Sequence, residues 1–204
     1  LEKCLEHLES QGIEICVIDN DSTDGSREIA ERFLDRNVCR IERLPYNGFF
    51  DEQAMLSQQK KLAEEISADW FMHYDADEIR EAPMPYATLK DGIIAADEMG
   101  YNAINFDEFV FMPTDKTQDF VGTDFVAEMK HYYFFEPYPQ RHIKAWKNRP
   151  LDDKFVKSGG HWVDFPGRKI FPQNFIMRQY IGLNYRQLLT KSLGRVYSAH
   201  EVAR

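Results

Sequence analysis

The stretch "WFMHYDADEI", residues 70–79, sets Asp75, Asp77 and Glu78 directly behind an apolar run of Trp70, Phe71, Met72 and Tyr74. Carboxylates this close repel one another, so the expectation is a balancing positive charge, a metal ion or a cationic group of a substrate. Two aspartates in D-x-D spacing at the end of a buried strand can hold a hard divalent cation through oxygen. They also leave coordination positions open for phosphate oxygens, which suits a diphosphate leaving group. A second loop, "VIDNDSTDGS" at residues 17–26, has Asp19 at the end of a β-branched run. There Asp19 can accept hydrogen bonds from a base or ribose while the helix start behind it tolerates phosphate. Loop formation and capping alone account equally well for Asp24 and Ser26.

Further along, His161 follows two glycines in "GGHWV", residues 159–163. The glycines permit close backbone approach, so a metal or phosphate contact competes with the default of a histidine satisfied in a core or turn. Lys157, Arg168 and Lys169 could meet a diphosphate or simply face solvent, and the aromatics around residues 132–138 could be core or a platform for sugar rings. No G-x-G-x-x-G, Walker loop, G-x-S-x-G elbow or H-E-x-x-H occurs.

The elements that must position these residues follow from periodicity. Leu1, Leu5 and Leu8 predict a first helix closed by Gly12, and "IEICVI" (13–18) predicts a strand. The polar loop leads into a helix with Ile29, Ala30, Phe33 and Leu34 on one face; a strand over 38–44, a helix over 51–66 and a strand over 69–74 come next. A helix to about Met99 and a strand from Tyr101 to about Phe111 follow; periodicity then weakens to Pro150, residues 159–172 read as strands and turns, and residues 185–204 as a final helix. Strands alternating with helices predict an α/β fold with a mixed, mostly parallel central sheet, both acidic loops lying at carboxyl ends of strands.

At 204 residues the chain suits one domain, with residues 1–100 as a nucleotide-binding half and 101–204 as an acceptor-side half. A net charge of −9 argues against a general nucleic-acid binder, although Lys and Arg are concentrated after residue 140. No apolar run approaches the roughly 18 residues of a membrane span. Cys4, Cys16 and Cys39 form no C-x-x-C pair, so a reducing compartment, the cytoplasm, is the expectation.

Taken together, "VIDNDSTDGSREIA" and, some fifty residues later, "ADWFMHYDADE" resemble the nucleotide-binding half of family 2 glycosyltransferases of the GT-A fold. The resemblance implies metal-dependent transfer of a sugar from a nucleoside diphosphate donor to a glycan or other hydroxyl acceptor, usually with inversion. It implies that Asp19, Asp21 and Asp75 bind the nucleotide. Asp75 and Asp77, with His161 as a further contact, would hold Mn²⁺ or Mg²⁺. The family's first strand would precede Leu1, and Arg178, Gln179 and Tyr180 stand where an Arg-His-Tyr is expected. Asp153 and Asp164 are the candidates for catalytic base, with Asp124 behind them. Two alternatives stand beside this: a haloacid dehalogenase-like phosphatase, weakened by Ile79 where that family has Thr or Val, and a non-catalytic glycan- or partner-binding domain.

Overall fold

The computed structural model describes residues 1–135 and 142–198. Helix α1 (Glu2–Ser10) buries Cys4, Leu5 and Leu8, the face that the leucine spacing marks. Gly12 then takes a left-handed φ of 71°, and the N–H of Ile13 bonds back to the carbonyl of Leu8, which ends the helix as expected. Strand β1 (Ile15–Asp19), helix α2 (Ser26–Glu31) and strand β2 (Val38–Arg43) form a crossover unit in which β1 and β2 pair in parallel. Leu5, Phe33 and Val38 form its core.

Helix α3 (Glu52–Glu65) starts at Asp51, whose side chain accepts the N–H of Ala54. Strand β3 (Trp70–Met72) is shorter than the 69–74 run predicts, because the chain turns out of the sheet at His73 and Tyr74 and returns as β4 (Glu78–Glu81). Helix α4 (Leu89–Glu98) opens with a capping box between Thr88 and Asp91. Within it, Gly92 allows close approach to the sheet; a Cβ there would come within 2.7 Å of the Phe175 ring. Then follow β5 (Ala103–Phe111), α5 (Phe125–Glu128), β6 (Tyr132–Phe135), β7 (Ile143–Lys147), α6 (Lys154–Lys157), β8 (Phe175–Tyr180) and α7 (Tyr185–Leu193).

These later strands join β3 and β4 in one sheet of order β3-β7-β5-β8-β4, with β6 also on β5. The sheet is mixed, but among the described strands only β5 with β8 here and β1 with β2 in the smaller sheet pair in parallel, isolated bridges aside. That is less parallel than the alternation predicts, since β3 and β4 are linked by a short acidic turn and no helix crosses between them. Strand β7 escapes periodicity analysis because it is covered on both faces: Ile143, Lys144, Ala145 and Trp146 are all buried. Core residues from β5, β7, β8 and α4 pack with Ile15 of β1 and with Trp70 and Met72 of β3, which ties the two sheets together. The predicted final helix ends at Leu193, and residues 199–204 lie outside the described residues, as do residues 136–138 of the aromatic run. Among the described residues no helix is long and apolar enough to cross a membrane.

Candidate functional site

The turn from β3 to β4 carries the acidic cluster, and the structure shows what balances it. Glu78 is fully buried and ion-pairs with Arg80, also fully buried. Its other oxygen accepts from Lys144 Nζ at 2.8 Å. The same ammonium lies 3.3 Å from Asp75 Oδ2, and Lys191 Nζ lies 2.9 Å from Asp77 Oδ2. Asp75, Asp77 and Glu78 thus meet Arg80, Lys144 and Lys191, an equal number of cations supplied by the chain itself. The expectation that a metal or substrate cation alone must balance the acids is corrected here: Glu78 is a structural acid whose charge is met inside the core. Only Asp75 and Asp77 present carboxylate surface to solvent, at 45% and 29% of their side chains.

Burial opposes ionisation of Asp75, but His73, Lys144 and Arg80 outweigh it and hold the carboxyl well below its usual range. Desolvation pushes the His73 imidazole down to about 4, so at neutral pH the ring is uncharged, and Lys144 and Arg80 are the charges that act on Asp75. For Asp77 burial prevails over Lys191, and its carboxyl is raised. His73 is fixed from two sides. Its Nδ1 bonds Gln59 Oε1 at 2.7 Å, its Nε2 faces Asp75 at 3.6 Å, and Gly160 packs so closely that a Cβ there would fall 2.6 Å from the ring.

His161 joins the margin of this cluster. Its ring meets that of His142 edge to face at 4.9 Å, and His142 Nε2 in turn lies 3.0 Å from Glu108 Oε2. Burial pushes the His161 imidazole down to about 3, helped by the nearby Lys144, so the neutral ring is available as a donor of nitrogen lone pairs. Its Nδ1 is buried without a hydrogen-bond partner among the described residues. An orphaned ring nitrogen and two partly open carboxylates are chemically suited to a divalent cation. Yet among the described residues no three His, Cys, Asp or Glu side chains form a group that could hold a metal ion. The fit is therefore that of two carboxylates for a hard ion that keeps waters and takes substrate oxygens, as Mg²⁺ does.

Asp19 closes β1 and is buried at 6% exposure; one oxygen accepts the N–H of Ser22 and the other lies 3.9 Å from Arg27. Asp21, with a left-handed φ of 54°, bonds Arg43 and the N–H of Tyr46, and the Arg43 hydrogen bond holds its carboxyl below the usual range. Its role in the structure is to pin the loop to the end of β2. Beside it lies a cavity of about 200 Å³ lined by Asn20, Leu44, Pro45, Asn47, Phe49, Asp51 and Ala54. Asp153 pairs with Lys60 and Asp164 with Lys154 and Arg168. Lys154 depresses the Asp164 carboxyl, which weakens it as a proton acceptor. Asp124 pairs with Lys3. Arg178 pairs with Glu81, while the backbone N–H of Tyr180 bonds the carbonyl of Asp77.

Sequence reasoning missed Lys144, Arg80, Glu108, His142 and Lys191. The one signal for Lys144 is a lysine inside the apolar stretch "HIKAW", where an unpaired charge would be untenable.

The α/β fold with a mixed sheet and acidic loops at the ends of β1 and β3 is of the GT-A type. Residues 1–80 match the profile described as Glycosyl transferase family 2. Among solved structures the chain is similar to S. aureus TarS, with a TM-score of 0.51 and 11% identity over 86% of this chain and 33% of that one. It is likewise similar to S. aureus TarS 1-349, with a TM-score of 0.51 and 12% identity over 86% of this chain and 55% of that one. The chain thus spans about half or less of the length of the structures it matches, and at this identity the likeness speaks for the fold. No curated protein sequence matches it.

Proposed function

We propose that this chain transfers a hexosyl group from a nucleoside diphosphate sugar to a hydroxyl of a glycan or other acceptor, with inversion, in cytoplasmic polysaccharide synthesis. The observation that carries it is the pair Asp75 and Asp77, partly open on the turn after β3 and adjoining a fold whose first 80 residues match family 2. Asp75 and Asp77 are the residues to hold Mn²⁺ or Mg²⁺, with His161 at the margin. When bound, the ion would offset charge developing on the leaving diphosphate.

The chain's own residues supply the rest. Lys144 and Arg80 keep Asp75 ionised and oriented before any ligand arrives, so little reorganisation remains at binding. In this reading the base occupies the cavity between Asn20 and Phe49, and Asp19 accepts from the base or ribose while Asp21 holds the loop. Asp153 and Asp164 are proposed as proton acceptors for the acceptor hydroxyl. A fall in turnover of Asp153→Asn or Asp164→Asn with unchanged donor affinity would identify which one acts. The free thiols of Cys4, Cys16 and Cys39 suit a reducing setting.

Calorimetric titration with UDP, GDP and dTDP, with and without Mn²⁺, tests the proposal. One nucleotide should bind in a metal-dependent way, and Asp77→Ala should abolish the metal dependence while the circular dichroism melt stays in place. Nucleotide affinity of Asp77→Ala equal to wild type in Mn²⁺ would sink the metal role.

A further inference from the structure

The two aspartates of the D-x-D differ in how their counter-ions are held. Lys144, the partner of Asp75, is 1% exposed and anchored by a second carboxylate, Glu78, so it has nowhere else to go. Lys191, the partner of Asp77, sits on the last helix, where it is 41% exposed and among the described residues makes one other approach, 3.5 Å to the carbonyl of Ile181. Helix α7 itself buries none of its residues. Leu193 beyond Lys191 is 80% exposed. An element with so little buried surface moves at small cost.

The segment does not end at Asp77. Past Gly194 the chain runs to Phe50. Phe50 N–H bonds the carbonyl of Val196, Ser198 N–H bonds the carbonyl of Phe50 at 3.0 Å, and the Arg195 guanidinium lies 4.1 Å over the Phe50 ring. Phe50 is the neighbour of Phe49, which lines the cavity beside Asn20. Residues 185–198 therefore touch Asp77 through Lys191 at one end and Phe50, the neighbour of cavity-lining Phe49, at the other.

We propose that Lys191 is a built-in counter-ion that occupies Asp77 while no donor is bound, gives up that carboxylate to a divalent cation, and passes its ammonium to the donor's diphosphate. An exposed lysine–carboxylate pair is weak enough to be displaced by a divalent ion, and the released ammonium is a point charge well suited to phosphate oxygens. The cation competition stands on the geometry of Asp77 and Lys191 alone. The hand-over to diphosphate rests on the function proposed above.

Calorimetry of Mn²⁺ alone against wild type, Lys191→Met and Lys191→Arg separates the two parts. Lys191→Met should bind Mn²⁺ about two- to fivefold more tightly than wild type, the factor expected for losing an exposed ion pair. Lys191→Arg keeps the competing charge and should match wild type. Equal Mn²⁺ affinity in wild type and Lys191→Met overturns the competition. In saturating Mn²⁺, Lys191→Met should then bind inorganic pyrophosphate and the preferred nucleoside diphosphate about tenfold more weakly, the loss of one charge-assisted hydrogen bond. Its affinity for the free nucleoside should not change. Diphosphate affinity equal to wild type overturns the hand-over. If wild type binds none of UDP, GDP and dTDP while Lys191→Met still takes Mn²⁺ more tightly, the donor reading and the hand-over fall together and the competition stands.

Discussion

Lys144 shows how one buried residue decides the character of the acidic turn. Its ammonium, 1% exposed, serves Asp75 and Glu78 at once, while Glu78 also holds Arg80. Removing one partner from a buried ionic group leaves uncompensated charge in the core, so Lys144→Met should lose about 3 kcal/mol of stability in urea denaturation. Lys191→Met, which breaks an exposed pair, should lose less than about 1 kcal/mol. Similar losses for the two variants would contradict the division into a fixed and a displaceable counter-ion. His73 and His161 add a pH dependence. Burial lowers their folded pKa values to about 4 and about 3, below the ordinary 6.5, so the unfolded chain takes up protons first. Their contribution is complete above pH 6.5 and is lost as the pH falls toward 4 for His73 and toward 3 for His161, at up to about 1.4 kcal/mol per pH unit for each ring. Denaturation midpoints at pH 7 and pH 5 check this, and His161→Gln should narrow the difference between them.

At the level of elements, the site depends on a loop that only glycine allows. Gly160 has φ of 74° and stands against His73, where a Cβ would meet the ring at 2.6 Å and Leu56 at 3.0 Å. Gly160→Ala combines left-handed strain with a clash in the wall behind Asp75. The variant should lose about 1–3 kcal/mol of stability. Its metal-dependent nucleotide binding should weaken as His73 shifts; a variant with wild-type stability and binding would remove Gly160 from the architecture of the site. The sequence made this loop visible through "GGH", and Gly160 within it packs against His73. Strands β7 and β8 were harder to see. Each is short; β7 is buried on both faces and so lacks the alternation by which a half-exposed strand declares itself, and in β8 the alternation holds only from Phe175 to Arg178.

Across the molecule, the expected halves 1–100 and 101–204 share one sheet. Strand β3 pairs with β7 and β4 with β8, so the strands that flank the acidic turn obtain their hydrogen bonds from the second half of the chain. A fragment of residues 1–100 should consequently show no cooperative thermal transition by circular dichroism, and a sharp melt of that fragment would show that the nucleotide-binding half folds alone. The fold was legible in outline: the order of strand, acidic loop and helix through residue 72 follows periodicity, and the match of residues 1–80 to family 2 falls on those same elements. The low proportion of parallel pairing was not legible, because it depends on where β4 turns back after residues 73–77, a matter of tertiary contact with β8.

By itself the sequence determined that two acidic loops follow apolar strands, since apolar runs and turn formers are local signals and their spacing survives without knowledge of partners; the expected full burial of those strands was not met, β3 and most of β1 being half-buried. What balances those acids was decided only in three dimensions. Lys144 lies 69 residues from Asp75 and Lys191 lies 114 residues from Asp77, separations over which no periodicity carries information. Charge pairing acts through space, so a cluster of acids that looks unbalanced along the chain is neutralised by cations that the folded sheet and the last helix bring to it.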